Sequence, residues 1–182
     1  MRSYIVTVDS HDQLLWSEIV KRALPDQEVV VLTEYGKYNA VSVAETLAFY
    51  RKAVAFVVDA GTSDPARVRV QARELEGMFA SVPNEMWRVE QFVPEMERCF
   101  FADPGIAAAI FEMDVTQRAL VEYAPRKVFL ELAQARWRRI SDAYEQFFAA
   151  LSPRQWELLQ RDPTISAVLG FLKTVNRRSS AA

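Results

Sequence analysis

Short runs of apolar, β-branched residues alternate with helical periodicity in the first half of the chain, and this alternation limits the possible folds most strongly. It predicts four strands, over residues 3–8, 28–32, 53–58 and 86–92. Strands separated by helices are typical of βαβ units, in which a parallel sheet is covered by helices. The second and third runs are almost entirely apolar, as expected of strands buried on both faces. The fourth alternates in polarity, which favours an edge position.

Recognisable signals open the helices between the strands. Ser10 and Gln13 fit a capping box, and Asp64 followed by Pro65 fits an N-cap with the first helical residue. After the fourth strand no further strand is indicated, and apolar residues recur at intervals of three and four through about 125–150. The predicted organisation is an α/β domain over 1–103, a helical extension over 104–176 and a flexible tail over 177–182.

Composition excludes several classes of protein. The chain has 182 residues, of which 51% are hydrophobic, and this is enough apolar surface for a core. A net charge of −2 provides no general attraction to nucleic acid or to an anionic membrane, so any such binding must be local. The single cysteine, Cys99, excludes an internal disulfide, and the N-terminal segment lacks the apolar run of a signal peptide or membrane span. We therefore expect a cytoplasmic protein without membrane association.

Acidic residues lie at the ends of two predicted strands. Asp9 follows the first strand and Asp59 follows the third. Because the carboxyl ends of parallel strands lie along the side of the sheet that binds ligands, both acids could face one crevice. Carboxylate oxygens are ligands that Mg²⁺ prefers in proteins. Each acid could instead form a turn or cap a helix, and the residues alone leave both interpretations open.

Four motifs follow the predicted strands in a characteristic order. They are T-V-D-S-H-D at 7–12, Y-G-K-Y-N at 35–39, V-D-A-G-T-S-D at 58–64 and F-V-P-E-M-E-R-C-F-F-A-D at 92–103. This order resembles the Toprim domain family, in particular its small stand-alone members related to the overcoming-lysogenization-defect nucleases. Segments 124–132 and 161–172 are similar to the helical tails of those members. The resemblance implies a Toprim-like α/β fold with a roughly four-stranded, mainly parallel sheet and a C-terminal helical extension.

The resemblance also implies an activity. In the Toprim family, strand-end acids bind Mg²⁺, which activates a nucleophile and stabilises charge on a phosphodiester. By this resemblance Asp9, Asp59 and Lys37 act in catalysis, with Lys37 meeting the phosphate. The metal ligands that it implies for Mg²⁺ or Mn²⁺ are Asp9, Asp12 and Asp59. Glu97, which follows the fourth strand and so can return to the same edge of the sheet, is the fourth expected ligand. The implied protein is a metal-dependent nuclease for DNA or RNA, in a defence or mobile-element context.

Two positions depart from the family pattern. Gly61 stands where a second acid is expected, and Asp9 stands where the family has the longer glutamate. Glu95 and Glu97 could supply a replacement carboxylate, or they could form the solvated first turn of a helix. Asp64 is better explained as a helix cap. These departures support a second hypothesis, a catalytically degenerate Toprim-fold protein that is a binding or regulatory subunit of a partner protein.

Basic residues provide candidate contacts with nucleic acid. Lys37 follows Gly36 in a turn that could receive a phosphate, or Asn39 could cap the next helix there. The helical half carries a cluster of basic residues around one aromatic: Arg126, Lys127, Arg136, Trp137, Arg138 and Arg139. Arg136 and Arg139 are the predicted nucleic-acid contacts within this cluster. The same cluster also fits the solvated face of an amphipathic helix.

Overall fold

The computed structural model describes residues 2–137 and 139–180, and it has an α/β fold with a four-stranded, all-parallel sheet flanked by helices. The strands are β1 (Ser3–Thr7), β2 (Val29–Thr33), β3 (Ala53–Asp59) and β4 (Trp87–Phe92). They pair in the order β2-β1-β3-β4. Each observed strand begins and ends within one residue of its predicted bounds, so the predicted strands are confirmed.

The strand order shows which expectations about burial were correct. β3 is central and buried along its length except at its half-buried last residue, Asp59, as predicted. β4 lies at an edge, which is also as predicted. β2 lies at the other edge and all of its residues are half-buried, so the expectation of burial on both faces was wrong. Apolar composition reflects packing on the faces of a strand and does not determine whether it pairs along both edges.

Helices connect the strands and form most of the chain after β4. Those between strands are α1 (Ser10–Ala23), α2 (Lys37–Phe49) and α3 (Pro65–Met78). Those that follow are α4 (Arg98–Phe101), α5 (Val115–Leu120), α6 (Pro125–Trp137), α7 (Ala143–Ala150), α8 (Pro153–Leu159) and α9 (Pro163–Ser180). Short 3₁₀ turns form at Asn84–Met86, Ala107–Ala109 and Ile140–Asp142. In the described ranges, no helix is both long and apolar enough to cross a membrane.

The helix caps agree only in part with the predictions. The Asp64 carboxylate accepts a hydrogen bond of 2.8 Å from a backbone N–H in the first turn of α3, as predicted. At α1 the N-cap is Asp9, whose Oδ1 accepts a hydrogen bond of 2.8 Å from the His11 N–H. The predicted capping box at Ser10 was therefore wrong. A carboxylate is a stronger acceptor for backbone N–H groups than a hydroxyl, so the helix begins one residue earlier.

The chain forms two compact units, each made of separate segments. Unit 1 contains Met1–Val58, Arg69–Gln91 and Thr164–Ala182, and unit 2 contains Asp59–Val68 and Phe92–Pro163. These divisions differ from the domain boundary after residue 103 that the sequence suggests. That boundary stays a prediction. Helix α9 continues to Ser180, so helical backbone extends into the segment 177–182 that was expected to be a tail.

Each unit has its own hydrophobic core. In unit 1 small residues of α2 and apolar residues of the sheet, of α3 and of the segment after α3 belong to one cluster: Val6, Ala40, Val41, Ala44, Ala48, Val54, Phe56, Val58, Leu75, Phe79 and Val82. In unit 2 the core is aromatic, with ring centroids 4.7–6.1 Å apart among Phe100, Phe111, Phe129, Phe147 and Phe148. Such rings combine a large buried area with favourable edge and stacked contacts.

Candidate functional site

The loop after β4 contacts the end of β3 through Asp59. The Asp59 Oδ1 accepts a hydrogen bond of 2.8 Å from the Met96 N–H. Two residues further along, the Gly61 N–H donates to the Pro94 carbonyl at 2.8 Å, and Gly61 has a φ of 64°. This is the left-handed region that glycine adopts without a steric penalty. Gly61 therefore has a backbone role at the position where the Toprim pattern has its second acid.

Arg126, in the first turn of α6, connects three acidic residues of unit 2. Its Nη2 donates to the Asp59 Oδ2 at 2.8 Å, and its Nε donates to the Glu97 Oε1 at 2.9 Å. Its backbone N–H donates to the Glu95 Oε2 at 3.2 Å. The structure therefore brings Asp59 and Glu97 to one site, as the sequence suggests, but an arginine joins them.

Glu97 is fully buried, which is rare for a carboxylate. The Tyr144 hydroxyl donates a hydrogen bond to the same Oε1 that Arg126 contacts. The other oxygen, Oε2, is buried and has no hydrogen-bond partner among the described residues. Burial rules out the interpretation of Glu97 as part of a solvated helical turn. Because a buried charge is costly unless it is paired, Arg126 and Tyr144 are what keep this carboxylate in place.

The ionisation of Asp59 reflects competing effects. Burial raises the pKa of Asp59 to about 7, and the charges of Glu97 and Glu95 act in the same direction. The Arg126 guanidinium and the Met96 N–H oppose this rise in the pKa. Burial alone would lower the pKa of Arg126, but the charges of Glu97 and Asp59 outweigh burial and raise it. Arg126 is therefore charged, while Asp59 titrates near neutral pH.

The oxygens around Arg126 do not fit the divalent ion that the Toprim resemblance implies. Both oxygens of Asp59 accept hydrogen bonds, and the Glu97 Oε1 accepts two. Mg²⁺ needs direct contact with ligand oxygens at about 2.0–2.1 Å, and a guanidinium already in contact with them repels it. Within the ranges that the structure covers, no three His, Cys, Asp or Glu side chains form a group suited to a metal.

The other predicted metal ligands belong to unit 1. Asp9 caps α1, and its Oδ1 lies 3.0 Å from the His11 Nδ1. Asp12 lies in the first turn of α1 and is 1% exposed. The capping interpretation that the sequence left open for Asp9 is therefore confirmed, whereas the burial of Asp12 was not predicted. The metal role of both residues stays a prediction.

Lys37, also in unit 1, is the first residue of α2. Gly36 is the N-cap and has a φ of 90°, a backbone conformation that glycine adopts without a steric penalty. Asn39 does not cap the helix, because its side-chain amide donates to the Tyr35 carbonyl at 3.1 Å. A contact between Lys37 and a phosphate stays a prediction.

The described residues of the basic cluster in the helical half differ in their surroundings. Arg126 contacts the acids described above, whereas Arg136 and Arg139 are exposed. Arg138 lies outside the described residues. The nucleic-acid role of Arg136 and Arg139 stays a prediction.

Arg126 is the site residue whose role the sequence analysis missed. A signal for it exists, because a cation in the first turn of a helix is unfavourable beside the positive end of the helix dipole. Pro125 marks that helix start, so an arginine at the next position suggests an acidic partner elsewhere in the fold. The sequence does not indicate which of the 24 acidic residues that partner is.

No protein-family model, curated protein or solved structure matches this chain. The resemblance to Toprim domains therefore depends on the motifs quoted above.

Arg126→Ala should lower the free energy of unfolding by about 3–5 kcal/mol, because Glu97 and Asp59 would stay buried without a cation. Arg98→Ala is a matched control, since Arg98 is also 31% exposed but pairs at 2.8 Å with Glu122, which is 61% exposed. The control should lose only about 0–1 kcal/mol. Urea unfolding at pH 8 measures both losses, and equal losses would contradict the role given to Arg126.

Asp59 should make stability fall as pH rises. Its pKa of about 7 in the folded protein exceeds the ordinary 3.8, so between these values the folded state holds a proton that the unfolded state has lost. Stability is therefore lost between about pH 4 and pH 7 and is constant above. From pH 5 to pH 8, the free energy of unfolding of the wild type should decrease by roughly 2–3 kcal/mol relative to Asp59→Asn. If the difference in the free energy of unfolding between the two proteins did not change with pH, the raised pKa of Asp59 would be contradicted.

Proposed function

We propose that this chain is a Toprim-type protein without metal-dependent catalysis, and that it acts as a binding subunit for a partner protein. The observation that carries the proposal is the contact of Arg126 with Asp59 and Glu97. A planar guanidinium supplies positive charge to the acids at which a Toprim nuclease would bind Mg²⁺. A fold can persist after its chemistry has been lost, so the Toprim resemblance is compatible with a binding role.

The nuclease hypothesis has less support from the same residues. Metal-assisted phosphodiester cleavage needs carboxylate oxygens that are open to both the ion and the substrate. Glu97 is fully buried, and Gly61 has no side-chain oxygen. With its pKa raised to about 7, Asp59 is partly protonated at neutral pH and is a weaker ligand.

The outer surface of α2 supports a role in protein binding. All exposed residues of this helix are uncharged: Tyr38, Asn39, Ser42, Thr46 and Phe49. Its one acidic residue, Glu45, is half-buried and accepts a hydrogen bond of 3.5 Å from Ser81. Tyr38 and Phe49 are 74% and 66% exposed, and Tyr35 and Tyr50 next to the helix are 78% and 70% exposed.

Surface helices normally expose charged residues, and α3 of this protein does so. Its exposed charged residues are Arg67, Arg69, Arg73, Glu74 and Glu76. Exposed aromatic residues are instead typical of the centre of a protein interface, and the nearby exposed charged residues, Glu34, Arg51 and Lys52, lie beyond the ends of α2. The surface of α2 therefore favours a partner protein whose own contact surface is apolar and uncharged. Nucleic acid is attracted mainly by positive charge, which the exposed residues of α2 do not carry.

The proposal predicts no metal-dependent cleavage by the wild-type protein. Plasmid DNA, single-stranded DNA and RNA should stay intact with about 10 mM Mg²⁺ or Mn²⁺, to the same extent as in the presence of a chelator, because Arg126 holds the acids. Gel analysis of the products measures this. Cleavage that needs the ion and disappears in Asp59→Ala would establish the nuclease hypothesis instead.

The proposal also predicts that α2 binds the partner. Once a protein captured by the wild type has been purified, Tyr38→Glu combined with Phe49→Glu should weaken the reconstituted complex by at least about thirtyfold, since each change places a charge in an apolar interface. Arg73→Glu on the charged surface of α3 is the control and should leave affinity unchanged. Calorimetric titration measures the affinity of the partner for each variant. Equal affinity of the wild type and the α2 variant would exclude α2, and tight binding of single-stranded nucleic acid without a protein partner would oppose the proposal.

A further inference from the structure

We propose that the exposed surface of α2 binds the same surface of a second copy of this chain, with the two helices antiparallel about a two-fold axis. The α2 surface favours a partner whose own contact surface is apolar and uncharged, and α2 itself exposes aromatic rings and uncharged side chains. The inference therefore rests on the proposed function and identifies the partner. Two-fold pairs are the commonest assemblies of identical chains, and in them both copies present the same patch.

The exposed residues of α2 form one stripe along the helix. At about 3.6 residues per turn, Tyr38, Ser42 and Phe49 lie within about 40° of one another around the helix axis, and Asn39 and Thr46 widen the stripe on one side. Tyr38 and Phe49 are at its two ends, whereas the residues between them are short. Two such stripes fit together when the helices are antiparallel, with Tyr38 of one copy beside Phe49 of the other and the short residues where the helices cross.

Charged residues beyond the ends of α2 complement each other in this arrangement. Glu34 precedes the helix, Arg51 and Lys52 follow it, and all three are exposed. An antiparallel pair brings Glu34 of each copy near Arg51 and Lys52 of the other, so opposite charges meet at both ends. A parallel pair would bring like charges together at each end and is therefore disfavoured. Lys37 is half-buried and lies about 100° around the axis from Tyr38, on the side away from the stripe.

The aromatic rings provide much of the area that a stable pair needs. Tyr35, Tyr38, Phe49 and Tyr50 are between 66% and 78% exposed. With about 150–250 Å² for each aromatic side chain, these four residues could bury roughly 400–700 Å² on each copy. A stable interface typically buries about 800 Å² on each partner, and the uncharged residues between the rings would supply the remainder.

Sedimentation equilibrium tests the pair on the wild-type chain. Between about 1 and 100 µM the wild type should show a reversible equilibrium of monomer and dimer, because association follows protein concentration. Tyr38→Glu combined with Phe49→Glu should stay monomeric over this range, because the two copies would place four carboxylates in the interface. Glu74→Lys on the charged surface of α3 is the control and should leave the dimer unchanged.

A charge reversal tests the antiparallel orientation. Glu34→Lys should weaken the dimer by at least about tenfold, since positive charges would then meet at both ends. Adding Lys52→Glu to Glu34→Lys should recover at least about threefold of that loss, because the second change restores an opposite charge beside the first. In a parallel pair the first change would keep like charges together, and the affinity would not fall.

Each outcome decides the inference. A wild type that dimerises, and whose dimer is weakened by the α2 and Glu34 changes while the α3 control leaves it unchanged, supports it. A wild type that stays monomeric over the whole concentration range overturns it. A dimer that either set of changes leaves as tight as the wild type, or that the control weakens equally, overturns it as well. Failure here would leave the proposed function intact, because a different protein could still occupy α2, and the affinity of a captured partner tests that separately.

Discussion

The charge balance around Arg126 is the interaction on which the rest of unit 2 depends. Arg126 connects α6 to the end of β3 through Asp59 and to the loop after β4 through Glu97. Tyr144 of α7 adds a hydrogen bond to the same Glu97 oxygen. These four residues come from separate segments, and one of them is a fully buried carboxylate. Removal of the guanidinium would leave that charge without compensation. Loss of Arg126 would therefore weaken the contacts among all of these segments.

An arginine in contact with strand-end acids changes what such a site can do. A bound Mg²⁺ has open coordination positions that polarise a phosphate and activate water, whereas a guanidinium can only donate hydrogen bonds and balance charge. In this site the acids are therefore held by a cation whose role is structural. The aromatic core beside it, in which Phe129 packs against Tyr144 with ring centroids 4.7 Å apart, holds the tyrosine that completes the arrangement.

Sequence reasoning recovered some of the site and missed its central residue. It placed Asp59 at a strand end and selected Glu97 as an acid that could reach it, and the structure brings the two together. It assigned Arg126 to a basic cluster, because neighbouring positively charged residues in a sequence suggest a surface. The capping box predicted at Ser10 and the two-sided burial predicted for β2 were wrong, since both depend on relative strengths or pairings that a local pattern does not contain.

The sequence by itself determined the four strands, the start of α3 at Asp64 and Pro65, and the glycine turn at Gly36. These follow from periodicity, from fixed φ values and from caps, which involve only residues close together in the chain. Tertiary structure decided which charges meet. Asp59 and Arg126 are 67 positions apart, and many acids and bases lie between them. Only the tertiary contacts within unit 2 select this pair, because the cost of burying a charge depends on its surroundings in space.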